Sequence, residues 1–286
     1  MKTLETILRN DASHWVGDGF PVRSLFNYQG DTTLISPFLL FDFAGPSSFE
    51  PREDRPRGVG QHPHRGFETV TIVYDGEVSH RDSTGGGGTI GAGEVQWMTA
   101  GSGIVHEEFH SPEYSRTGGP FQMVQLWVNL PRKDKMTAPG YQAITRDTIP
   151  TVVLNGGRAR IIAGAFGSTN GPAHTFSPVN LWDVRLDAGA HQILPLPEGH
   201  TSMIAVLSGN VSIDGKRIAD AEIARLSVDH EGVAVMAETD AVLLVMTGEP
   251  IDEPVFGHGP FVMNSEAEIR KAFADFHSGR FGAMSA

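Results

Sequence analysis

The sequence predicts an all-β protein made of two related halves, and three observations carry that expectation. Glycine and proline are abundant, 34 and 18 of 286 residues, an excess that favours many turns. Apolar runs are short and bounded by turn signals. A stretch of the second half also lies over a stretch of the first, turn glycine on turn glycine. At this length one core tends to split into two. We place the boundary in the basic, proline-containing segment after Pro131, giving domains 1–135 and 136–286.

Taken in order, residues 1–30 are broken by Gly17, Gly19 and Pro21 and read as an extended arm. Leu34 to Phe43 reads as a buried strand with an edge or bulge at Pro37; Phe38, Phe41 and Phe43 are core. Residues 46–59 read as a polar, proline-rich loop. Glu68 to Tyr74 is a strand, Asp75-Gly76 a hairpin turn, and Glu77 to Arg81 the return strand. Gly85 to Gly88 form a flexible turn. They lack the Lys-Ser/Thr and following helix of a phosphate loop. Short strands follow at Val95 to Met98 and Ile104 to Glu108. Phe121 to Leu130 alternates as a strand, with Met123, Gln125 and Trp127 on one face. The segment 131–150 reads as a linker. Towards the C-terminus Ser265 and Glu268 make a capping box. Ile269, Ala272, Phe273 and Phe276 line one helical face, and Gly279 ends the helix.

Composition bounds the function. Hydrophobic residues are 40% and charged residues 20%, which is globular rather than disordered. The net charge is −12, which disfavours direct nucleic-acid binding. Cysteine is absent, so disulfides, thiolate zinc, iron–sulfur clusters and cysteine nucleophiles are excluded together. Any metal site must use histidine and carboxylate. No apolar run reaches membrane-spanning length, and the start, MKTLETILRNDASHW, lacks a signal pattern. We expect a cytoplasmic monomer that binds no membrane.

The chemistry concentrates between Gly60 and His110. His62 and His64 stand two apart, as do His106 and Glu108. Side chains two apart on a strand share a face, so each pair aims at one point. Three imidazoles and a carboxylate converging there make an N/O metal site with room for water or substrate. By strand parity Glu68 shares a face with His62 and His64. It therefore competes with Glu108 as the carboxylate ligand, or orients an imidazole from behind. Phe67, Trp97, Met123 and Trp127 are candidates for the pocket wall.

The repeat sets Leu194 to Ile213 under Gln61 to His80, with Gly199 under Gly66 and Gly209 under Gly76. Pro195 and Pro197 then replace His62 and His64. With Met236 under Met98, Leu244 falls under His106 and Met246 under Glu108. The second half is therefore expected to hold no metal. His174, His191 and His200 are unpaired there and read as ordinary polar or loop histidines.

HPHRGFETVTIV, GEVQWMTAGSGIVHEEF, QLWVNLP and GPFVMN with EIRKAFADFHSGRFG together resemble the pirin family of the cupin superfamily, over nearly the whole chain. The resemblance implies a bicupin: two β-sandwich or jelly-roll barrels in tandem, with metal only in the first. It implies Fe(II) on His62, His64, His106 and Glu108, which decides for Glu108 over Glu68 as the ligand. Other divalent transition metals accept the same donors. It further implies a quercetin 2,3-dioxygenase, cleaving a flavonol ring with dioxygen and releasing carbon monoxide. A carboxylate, Glu108 or Glu68, then takes the flavonol hydroxyl proton. The alternative is an iron-binding, redox-sensing regulatory protein that binds a protein partner without turnover, since some eukaryotic members are transcription co-regulators. A cupin isomerase for a small sugar is a third reading.

Overall fold

The computed structural model describes residues 1–52 and 54–284. Glu53 of the expected loop and the last two residues of the expected second domain lie outside the described part. The chain opens with β1 (Leu4–Arg9), β2 (His14–Val16), β3 (Phe20–Asn27) and β4 (Phe38–Phe49). Next come β5 (Gly58–His64), β6 (Phe67–Asp75), β7 (Glu77–Asp82), β8 (Gly87–Gly91), β9 (Val95–Thr99) and β10 (Ile104–His110). Helix α1 (Pro112–Thr117) leads to β11 (Gly119–Asn129) and β12 (Gly140–Ile144).

The second half contributes β13 (Thr151–Leu154), β14 (Gly157–Ala163), and the short β15 (Ala165–Phe166) and β16 (Thr169–Asn170). It continues through β17 (Val179–Leu186), β18 (His191–Leu194), β19 (Thr201–Ser208), β20 (Val211–Ile213) and β21 (Lys216–Ile218). β22 (Glu222–Leu226), β23 (Val233–Ala237) and β24 (Ala241–Gly248) complete it. The tail carries β25 (Phe256–His258), β26 (Phe261–Met263) and α2 (Glu266–His277).

Two units share one topology. The first joins a seven-stranded sheet, β12-β9-β6-β11-β4-β3-β2, to a four-stranded sheet, β5-β10-β7-β8. The second joins β1-β22-β19-β24-β17-β14-β13 to β18-β23-β20-β21. Read position by position, β19 stands for β6, β24 for β11, β18 for β5 and β23 for β10. Such two-sheet sandwiches bury alternate residues of each strand. In the first unit one apolar core joins Phe20, Val22, Val73 and Phe121 to Val78 and Ile90 of the smaller sheet. In the second, Trp182, Ile204 and Leu243 meet Leu194, Val211 and Val235. The expected all-β pair of sandwiches with a C-terminal helix is what the chain forms.

The units do not follow a cut at 135/136. One comprises residues 12–32, 38–146 and 252–286, the other residues 1–11, 33–37 and 147–251. The cause is sheet completion. β1 pairs with β22 and so takes the edge position that β12 takes beside β9. The tail packs on the first unit: Ile269 and Ala272 of α2 join Val105, Phe261 and Phe281 in one cluster. Ser265 caps α2 by accepting from Glu268 N, as the capping box requires.

Several local expectations change. The arm 1–30 is three strands. The strand expected from Leu34 starts after Pro37, because Thr32–Leu34 is a 3-10 turn, and it runs on to Phe49. The expected loop 46–59 shrinks accordingly. Gly87 and Gly88 pair with Arg81 and His80 as part of β8, where ladder bonds override their turn preference. The linker 131–150 contains β12. The short α1, capped by Ser111 with Pro112 following, was not expected.

Candidate metal centre

The cluster is built across one antiparallel ladder. β10 pairs with β5 so that His106 faces His62 and Ile104 faces His64. The three imidazoles meet on the inner face, with ring centroids 4.9 Å (His62–His64), 4.2 Å (His62–His106) and 4.8 Å (His64–His106) apart. One ring nitrogen from each lies within 4.8 Å of the others. His64 and His106 are buried and His62 is half-buried, so the site opens on the His62 side.

Each Nδ1 has a partner. His62 Nδ1 meets Gly60 O at 2.8 Å, His64 Nδ1 meets Pro260 O at 3.3 Å, and His106 Nδ1 meets His80 Nδ1 at 3.3 Å. His106 Nε2 is buried and has no hydrogen-bond partner among the described residues. An orphaned nitrogen at the meeting point of three imidazoles fits a metal ligand, since ligating histidines commonly have the other nitrogen held from behind. Burial, then the nearby His62 and His80, pushes His64 well below the usual imidazole range. Burial, then His64, His62 and His80, does the same to His106. Both rings are therefore neutral at neutral pH, the form a metal needs.

Glu108 sits deeper. Its Oε1 accepts from Gln96 Nε2 at 2.5 Å and from Thr71 Oγ1 at 3.3 Å. It forms a second cluster of donor atoms, within 4.8 Å of one another, with His80 and His106. The structure thus brings His62, His64 and His106 together and sets Glu108 against His106. His80 was not singled out in the sequence. The spacing His80-x-Asp82 was its signal, since parity puts both side chains on the face of β7 that meets His106.

Glu68 is elsewhere. Thr99 Oγ1 donates to Glu68 Oε1 at 2.7 Å, while Phe67 and Thr71 of the same strand turn to the cluster. Alternation along β6 therefore puts Glu68 on the opposite face. Parity counted from His64 fails because the chain passes between sheets at Gly66, whose φ is +89°. Glu68 is neither ligand nor base by this geometry. Trp97 likewise follows Gln96 onto the far face, and Met123 lies deeper, packed with Phe20 and Phe121. Phe67 and Trp127 do line the site, stacked at 4.2 Å and lying 5.1 and 5.2 Å from the His64 ring.

The matching positions of the second unit also need correcting. The turn glycines behave alike: Gly66 and Gly199, Gly76 and Gly209, all have positive φ. Beyond them β20 and β21 have three residues each where β7 and β8 have six and five, so an ungapped alignment overshoots by one strand. β24, with Leu244 and Met246, is the counterpart of β11. The strand matching β10 is β23, which pairs Val235 with Gln192 and Val233 with Leu194. By ladder position Gln192, Leu194, Val235 and Ala237 stand for His62, His64, His106 and Glu108; the first two replace the expected Pro195 and Pro197, because the connection from β18 to β19 is longer than that from β5 to β6. Leu194, Val235 and Ala237 are core.

Two jelly-roll units, one lined by three inward imidazoles and the other filled with apolar side chains, define a bicupin with one metal-type centre. Residues 19–128 match the Pirin family and residues 181–282 match the Pirin C-terminal cupin domain. The chain belongs to the pirin family. It is 55% identical over 283 residues to a Pseudomonas aeruginosa protein with the provisional name quercetin 2,3-dioxygenase, covering 98% of this chain and 99% of that one. It is 38% identical to mouse Pirin over 260 residues, covering 87% of this chain and 83% of the relative. The crystal structure of quercetin 2,3-dioxygenase from Acinetobacter baumannii is 51% identical, with a TM-score of 0.96 and 99% of each chain covered. No described helix is long and apolar enough to cross a membrane.

Proposed function

We propose that the first unit holds one divalent metal, iron(II) foremost, on His62, His64 and His106 with Glu108 as the carboxylate. On this reading the chain is a dioxygenase that cleaves a flavonol such as quercetin, incorporating both atoms of dioxygen and releasing carbon monoxide. The observation that carries the metal is the buried, partnerless Nε2 of His106 facing two further imidazoles. The flavonol rests on the likeness to the A. baumannii enzyme. The metal supplies Lewis acidity and open coordination positions. The protein supplies the rest. Gly60 O, Pro260 O and His80 fix the rings. Gln96 and Thr71 hold Glu108 by Oε1, placing its carboxylate to take the flavonol hydroxyl proton. Trp127, half-buried and backed by the stacked ring of Phe67, offers a flat apolar face for the aromatic rings of the substrate. The second unit, apolar at the matching positions, takes no metal and supports the fold.

The test is loss of the quercetin absorbance band with matched oxygen uptake and carbon monoxide release. Turnover should vanish on chelation and in His62→Ala. A metal-loaded protein that gives no turnover above the metal-free background refutes the enzyme reading. The account left standing is then a metal-bearing regulatory module that binds a protein partner.

A further inference from the structure

The metal reading uses His80 only as a contact of His106 and leaves its buried partner Asp82 unused. His80 and Asp82 have fully buried side chains, and His80 Nε2 meets Asp82 Oδ2 at 3.2 Å. Tyr141 stacks on the His80 ring at 5.0 Å. His80 Nδ1 meets His106 Nδ1 at 3.3 Å. The geometry points to His80 and Asp82 as positioning residues that fix the tautomer of His106 so that its Nε2 lone pair is free for the metal.

The direction follows from counting donors. An ionised carboxylate only accepts, so His80 carries its proton on Nε2. A neutral imidazole then presents a lone pair at Nδ1, and only His106 can donate across the Nδ1–Nδ1 contact. With its proton on Nδ1, His106 has a lone pair at Nε2, the buried atom that lacks a partner among the described residues. Asp82 is itself oriented. Its Oδ1 accepts from Thr84 N at 2.8 Å, Thr84 Oγ1 at 2.6 Å and Gly86 N at 3.1 Å. Three donors on one oxygen leave Oδ2 alone to face His80. The inference rests on His106 being a metal ligand, as proposed above.

Asp82→Asn tests the polarity without changing shape. The three donors keep the amide oxygen at Oδ1 and turn the amide NH₂ towards His80. His80 must then accept at Nε2 and donate at Nδ1, which forces the His106 proton onto Nε2. In the metal-free protein with ¹⁵N-labelled histidine, NMR should show the His106 proton on Nδ1 in the wild type and on Nε2 in Asp82→Asn. Zn²⁺ affinity, measured against a chromophoric chelator, should fall by about 10–100-fold in Asp82→Asn. His80→Leu should lose affinity similarly. His80→Gln, whose amide can accept from His106 and donate to Asp82, should recover most of it, which a packing role would not produce. If Asp82→Asn does not fold, the two His80 variants carry the same comparison with the Asp82 loop intact. A wild-type His106 proton on Nε2, or Zn²⁺ affinity unchanged in both Asp82→Asn and His80→Leu, overturns the assignment. A wild type that takes up no Zn²⁺ refutes the metal reading instead. The metal-free tautomer still decides the relay in that case.

Discussion

Replacing Lys135 by methionine should remove a pH-dependent contribution from the stability of the protein. Lys135 is 1% exposed. Its Nζ donates to Gly66 O at 2.7 Å, Asn129 Oδ1 at 2.7 Å and Val262 O at 3.0 Å. Burial lowers its pKa from 10.5 to about 7, against the opposing pull of Glu253 and Glu268. In the unfolded chain the amine keeps its ordinary value. Between pH 7 and 10.5 the unfolded state therefore binds more protons, and stability rises with pH. At about 1.4 kcal/mol per pH unit, the contribution changes by about 5 kcal/mol over that span. It destabilises fully below pH 7 and is relieved as pH rises towards 10.5. Methionine keeps the stem but leaves three acceptors without a donor, a loss of about 1–3 kcal/mol each that does not vary with pH. Urea unfolding of both proteins, from about pH 6 to about pH 10, isolates the slope because every other group cancels in the difference. Wild type should gain on the variant by about 1.4 kcal/mol per unit above pH 7. A flat difference would show that the three acceptors keep the ammonium charged, and the reasoning from burial would fail.

Three further outcomes follow from the site. His106→Ala should lose nearly all metal by elemental analysis, and full retention would remove His106 from the ligand set. Glu68→Gln should leave metal content unchanged, because Glu68 bonds to Thr99 on the face away from the cluster. Burial raises the Glu68 carboxyl to about 7, so its contribution to stability is present below the unfolded value and lost as pH rises through 7. Thermal melts of Glu68→Gln should accordingly exceed wild type at about pH 8 and converge with it at about pH 5. Equal melts at pH 8 would contradict this. Phe67→Ala, at a fully buried position, should cost about 3–5 kcal/mol and, by removing the ring on which Trp127 stacks, raise the KM for flavonol. Phe67→Leu should regain most of the stability but not the KM, and recovery of both would deny the ring a role in binding.

The three histidines were legible because the sequence reading needed only alternation within two strands, and those strands are hydrogen-bonded neighbours. Alternation gives no warning where a strand ends. The passage at Gly66 put Glu68 on the wrong face, and Trp97 went with it. His80 was passed over because one histidine beside an aspartate looks like any exposed strand, and only the fold brings it against His106. The repeat was visible through its turn glycines, whose left-handed backbone demands that residue. Its later register was lost where the loops and strands of the second copy shortened. The exchange of β1 and of the tail left no mark in composition, because an edge strand reads the same whichever sheet it joins.

The carbonyl that holds His64 from behind belongs to Pro260, 196 positions further along the chain. During synthesis the ribosome therefore releases all three imidazoles long before the segment that orients one of them. β1 emerges first of all, yet must wait for β22 before its edge has a neighbour. A nascent chain carries an unfinished sheet edge and an unfinished histidine cluster at the same time; the edge closes when β22 arrives, and the cluster only when the tail does. The arrangement of the cluster is thereby tied to the arrival of the tail: a chain truncated before residue 260 keeps His62, His64 and His106 but lacks the carbonyl that holds His64 in place.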